Sequence, residues 1–133
     1  MQTSNGYIAA FGRLALAAIF LWSGLGKLMD HAGTVGYMSS VGLPLAELGY
    51  WLAIIIEILG GIALVAGYQT RIVALVLAAF SVVTALAFHA HFGDLNQAIH
   101  FMKNIAIAGG FLQVFALGAG AFSLDNTWSK RAA

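Results

Sequence analysis

The chain has no cysteine and a single proline, and only 8% of its 133 residues are charged. Without cysteine, disulfides, thiol catalysis, cysteine-ligated zinc and iron–sulfur clusters are all excluded. Six basic and five acidic side chains leave a formal net charge of +1, so there is neither a basic surface for nucleic acid nor an acidic tail. An ordinary soluble domain carries roughly 25% charged residues. The few charges here could not coat a soluble surface, whereas a surface facing lipid needs no such coat.

What the chain has in abundance is hydrophobicity, at 61% of residues. Four apolar stretches, at about 7–28, 45–67, 72–92 and 100–122, each approach the roughly 20 residues that cross a hydrocarbon core. The first is expected to be retained as a helix. It lacks a basic leader and a small-residue cleavage site, and its apolar run exceeds a signal-peptide core. The segment 29–44 reads as a polar connector, 68–71 as a tight turn and SLDNTWSKRAA as a polar tail. Short connections require antiparallel neighbours. The expected fold is all-α: an integral membrane four-helix bundle running up-down-up-down, as one domain over 1–133. Small residues inside the stretches, such as Gly60, Gly61, Gly109 and Gly110, suit close helix packing in lipid.

Lysine and arginine bias predicts the orientation. Arg71, Lys130 and Arg131, with Arg13 nearby, share the face that holds both termini, against Lys27 and Lys103 on the other. Both termini are therefore expected in the cytoplasm.

A charge near the bilayer centre costs about 2.5–3.5 kcal/mol, so each one needs a reason. Glu57 lies close to the midplane, between Pro44 and Gly67. Its expected partner is Arg13, as a supporting ion pair, or one of the lysines. An up-down bundle gathers Lys27, His89, His91, His100, Lys103 and Asn104 at the non-cytoplasmic end. A quinone or similar ring needs an apolar slot with a few hydrogen-bonding groups. The candidate ligand-binding residues are Lys27, Glu57, His89, Lys103 and Asn104, with Trp22, Trp51, Phe88, Phe92 and Phe101 as candidate walls. Plainer roles stand beside these: an ion pair that only fixes helix register, lysines that snorkel, and aromatics that form an interfacial belt. His89 and His91 are spaced i,i+2, which points them to different sides of a helix. Neither a haem-attachment motif nor a His-x3-His pair occurs. No metal site and no intrinsic cofactor is expected.

The ordered segments GRLALAAIFLWSGLGKL, Glu57 shortly before GGIALVAGYQTR, FHAHF, MKNIAIAGG and SLD together resemble the DoxX family of small four-helix bacterial membrane proteins. The resemblance runs over about 11–125, with Arg13, Lys27, Glu57, Arg71, His89, Lys103 and Asn104 at matching positions. It implies a membrane subunit of quinone-linked redox metabolism in the bacterial cytoplasmic (inner) membrane. Such a subunit would bind a quinone-like ring or support a partner oxidoreductase. More distant members of the family imply an alternative: a non-enzymatic assembly or interaction subunit, docked on a membrane protein partner or on copies of itself. A small transporter or proton path is a third reading, although four helices leave little room for an enclosed channel.

Overall fold

A computed structural model of the protein describes residues 2–132, with side chains from Asn5 onward. The described residues form six helices and no strand: α1 (Gln2–Met29), α2 (His31–Ser40), α3 (Ala46–Ala66), α4 (Thr70–Phe88), α5 (Leu95–Leu117) and α6 (Leu124–Ala132). Four of them, α1 over Asn5–Met29 together with α3, α4 and α5, are long and apolar enough to cross a membrane. They form the expected antiparallel bundle, arranged as two close pairs. The α1 helix packs along α3 and α4 packs along α5, while the α3/α4 and α1/α5 seams between the pairs are thinner.

Helical periodicity accounts for these pairings. On α1 the buried positions Arg13, Ala17, Phe20 and Gly24 recur at three- and four-residue steps and form a single stripe. The α3 helix answers with Tyr50, Ala53, Ile54, Glu57, Gly61 and Leu64. A Cβ on Gly24 would stand 2.6 Å from the Ile58 side chain, and one on Gly61 would stand 2.6 Å from Leu21. Glycine at these two places is what lets the α1 and α3 backbones come so close. Outward positions are apolar as well: Trp22 is 82% exposed and Ile8 70%, which suits a lipid solvent and no other.

One end of the bundle, called here the terminal end, holds the start of α1, the α3–α4 turn and α6. Its interior is filled by Ala17, Phe20, Leu64, Ala74, Leu77, Ala78, Ala108 and Phe111. The Arg13 guanidinium donates to the Leu64 carbonyl at 2.8 Å, to Val65 at 3.3 Å and to the Phe122 carbonyl. Gly67 ends α3 at φ 68°, a left-handed conformation that glycine adopts without strain. The Asp125 carboxylate accepts from the backbone N–H groups of Gln69 and Thr70, both at 2.8 Å, and so caps α4. The Asp125 N–H in turn donates to the Gly67 carbonyl.

Two expectations change. The connector 29–44 and the polar tail each contain a helix, α2 and α6. The α2 helix begins at Asp30, whose side chain accepts from the Gly33 N–H, an N-cap that the apolar-run reading passed over. The last two spans are also displaced. The α4 helix stops at Phe88, with His89 as its C-cap. Asp94 caps α5 by accepting from Asn96, so that helix starts before His100 and ends by Leu117. His91 and Phe92 accordingly lie in the connector, outside both helices.

Candidate functional site

At the other end, the α2 end, the two helix pairs enclose a cavity of about 990 Å³. Its walls come from α1, α3, α4 and α5, and α2 covers it with Thr34, Tyr37 and Met38.

One wall carries a closed set of polar contacts. The Lys27 ammonium donates to both carboxylate oxygens of Glu57 at 2.9 Å and to the Ser23 hydroxyl at 2.6 Å. The Ser23 hydroxyl donates to Glu57 Oε1 at 3.1 Å. Ser23 and Lys27 are four residues apart on α1, so they share a face. Tyr50 fastens the arrangement by donating from its hydroxyl to the Lys27 carbonyl at 2.9 Å. Glu57 is buried, and Lys27 retains 20% of its side-chain surface. All three ammonium hydrogens therefore have acceptors on the protein. The pair is neutral as a unit, which is how a membrane interior tolerates it.

The expected ion pair between Arg13 and Glu57 does not form. Arg13 is engaged at the terminal end with Leu64, Val65 and Phe122, while Glu57 belongs to Lys27. Arg13 reaches out of its stripe toward the last carbonyls of α3, which have no acceptor role left inside the helix.

The opposite wall is built by α4 and α5. The Asn104 side chain donates to the Thr84 hydroxyl at 3.3 Å, and that hydroxyl donates to the Ser81 carbonyl at 3.1 Å. His89 shares a hydrogen bond of 2.8 Å with Gln97 through Nδ1 and stacks on His100, with ring centroids 5.1 Å apart. Lys103 is exposed at the rim and lies 2.9 Å from His100 Nδ1. Its ammonium has no carboxylate partner among the described residues. All five candidate residues thus line the cavity on two facing walls: Lys27 and Glu57 on α1 and α3, and His89, Lys103 and Asn104 at the end of α4 and on α5.

The aromatic walls differ from expectation. Only Phe88 of the five lines the cavity. Trp22 faces outward. Phe92 and Phe101 pack on each other at 4.9 Å, and Trp51 donates to Glu47 on the outer surface. Phe20, Phe80 and Tyr37 take their place, with Tyr37 stacked on Phe88 at 5.8 Å. Phe20 was legible from its place in the α1 stripe. Tyr37 and Met38 lie in a segment whose polar composition concealed a helix. No group of three or more His, Asp or Glu side chains among the described residues could hold a metal ion.

Chemically, the cavity is an apolar slot with a sealed ion pair on one side. Groups with spare capacity sit on the other: the second Asn104 amide hydrogen and the Lys103 ammonium as donors, and His89 Nε2 as an acceptor, since Nδ1 donates to the Gln97 amide oxygen.

The comparisons with known proteins agree with this architecture. The chain is 39% identical over 121 residues, 90% of each chain, to "Inner membrane protein YqjF" of Escherichia coli (strain K12). It is 37% identical over 120 residues to "Inner membrane protein YphA" of the same organism, covering 86% of this chain and 85% of that one. No solved structure gives a significant match. The DoxX family pattern matches residues 8–90. With its four apolar spans and these inner-membrane relatives, this chain is an inner-membrane protein and belongs to the DoxX family.

Proposed function

We propose that the cavity at the α2 end binds a quinone-like ring, and that the protein acts as a membrane subunit of quinone-linked redox metabolism, alone or beside a partner oxidoreductase. The observation that carries this reading is the slot itself. Its size is at the upper end of the roughly 300–1,000 Å³ of small-molecule pockets, its lining is mostly apolar, and a few polar groups converge on it from two sides.

In this reading Asn104 and Lys103 donate to the ring carbonyls, and His89 Nε2 accepts from a hydroxyl of the reduced ring. Lys27 is not free to do so while Ser23 and both oxygens of Glu57 occupy it. The Lys27–Ser23–Glu57 set instead acts as a fixed polar wall, and it holds protons that a reduced ring could exchange when the set opens. Phe20, Phe80 and Phe88 stack against the ring faces. Both termini lie in the cytoplasm, since Arg13, Arg71, Lys130 and Arg131 gather at the terminal end. The site then faces the opposite leaflet.

The test is quinone binding by the purified protein in nanodiscs, with empty nanodiscs as the baseline. Wild type binds above that baseline, Lys103→Met binds more weakly, and Glu57→Gln changes the pH dependence of binding. Wild-type binding equal to that of empty discs would overturn the proposal. A partner recovered in fixed stoichiometry under those conditions would point to the assembly reading instead.

A further inference from the structure

Polarity is unevenly distributed around the cavity. Toward the α1/α5 seam its lining includes Ser23, Lys27, Lys103 and Asn104. Toward the α3/α4 seam it is wholly apolar, formed by Leu52 and Ile56 of α3 and by Val76, Ala79, Val83 and Ala87 of α4. These last residues do not close the bundle. Leu52 is 51% exposed and Val83 60%, so residues that line the cavity also face the surrounding lipid. Nearer the terminal end the same seam is shut, because Leu77 of α4 lies against Gly60, where a Cβ would stand 3.2 Å away. The α3 and α4 helices therefore touch below and leave an apolar gap above. A cavity of about 150 Å³ already holds a benzene-sized molecule. A ring on its own would fill only part of the space available here.

We propose that the ligand is a ring with a long apolar tail, and that the tail leaves the cavity into the bilayer through the gap between α3 and α4, beside Val83. This rests on the ring-binding reading above and names the class of ligand it implies: an amphiphile that reaches the site from the hydrocarbon phase. The ring lies against the polar groups near α1 and α5, and the tail follows the apolar flank outward. The tail comes from lipid chains as apolar as the flank, so no hydrophobic gain attends its entry, and what the gap supplies is an open path for it. Bulk added at Val83 or Ala79 would obstruct the tail and leave the polar groups untouched.

The experiment compares two probes in nanodiscs that contain the full chain: 2-methyl-1,4-naphthoquinone, and the same ring carrying an isoprenoid tail of four units. Affinities are expressed per mole fraction in the bilayer, which removes the difference in partitioning. In wild type the two probes are expected to bind with similar affinity. Val83→Trp weakens the tailed probe at least tenfold by obstructing the tail and leaves the affinity for the tailless ring unchanged, and Ala79→Phe does the same. Both positions face lipid, so the fold is retained, as the tailless ring's binding verifies. Exclusion of the tailed probe by wild type, or tailed-probe affinity that both substitutions leave unchanged, would overturn the tail exit while leaving ring binding in place. Failure of both probes to bind would remove both proposals.

Discussion

Arg13 meets α3 at the Leu64 carbonyl, two helical turns beyond Glu57 toward the terminal end, and so leaves that carboxylate to Lys27. The two longest cationic side chains on the inner stripe of α1 thereby serve different purposes. One joins the last turn of α3 to the segment before α6, and the other neutralises the one carboxylate buried within the spans.

The Lys27–Glu57 pair should show strong energetic coupling. Lys27→Met alone leaves a buried carboxylate without its cation, and Glu57→Leu alone leaves the ammonium unmatched. Each should cost about 3–5 kcal/mol. The double variant should cost far less than the sum, because no orphaned charge remains. Unfolding of the four proteins in detergent measures this, and additive losses would show that the pair is not coupled.

Arg13 belongs to a separate network. Arg13→Leu withdraws a charged donor from the Leu64, Val65 and Phe122 carbonyls, and a hydrogen bond to a charged group is worth about 1.5–3 kcal/mol. A loss in that range is expected, with binding at the cavity unchanged. Combined with Glu57→Gln, the two effects should add to within about 0.5 kcal/mol. A larger interaction energy would revive the Arg13–Glu57 contact.

Close approach of α1 to α3 depends on Gly24. Gly24→Val would press on Ile58 and on the Glu57 Cβ, and overpacking of this kind costs about 1–3 kcal/mol. Gly12 has nothing within 4 Å of its own Cβ position. Gly12→Ala should be neutral or should stabilise α1 by up to about 1 kcal/mol. Thermal unfolding of the two variants distinguishes a packing glycine from a tolerated one.

At the terminal end, docking of α6 should depend on acid. Burial alone would raise the Asp125 pKa. The N–H donors of Thr70 and Gln69 and the Arg13 charge outweigh it and hold the carboxyl below its usual range. A depressed folded pKa means that the stabilisation is fully present above the unfolded value of about 3.9. It is lost as the pH falls through the lower folded value. Trp128 stacks edge-on against Tyr68 at 5.5 Å and reports this region once Trp22 and Trp51 are changed to Phe. Its emission should be steady from pH 7 to about pH 5 and should shift only below about pH 4. Asp125→Asn, with no charge to lose, should remove that acid transition.

The sequence by itself determined the solvent of this protein and the number of its crossings. So few charges and so much apolar length are compatible only with lipid around four spans, and a Glu within a span must then find a partner inside. It also marked which face of α1 turns inward. Arg13 and Lys27 are separated by roughly four helical turns, however, and therefore lie on one stripe. Periodicity along a single helix cannot say which of them stands level with Glu57. Only the tertiary structure decided that, because the sliding register of α1 against α3 is set by where Gly24 and Gly61 admit Ile58 and Leu21. The same limit hid α2, whose composition is that of a connector and whose place over the cavity depends on contacts with Tyr50, Ala53 and Ile54 of α3.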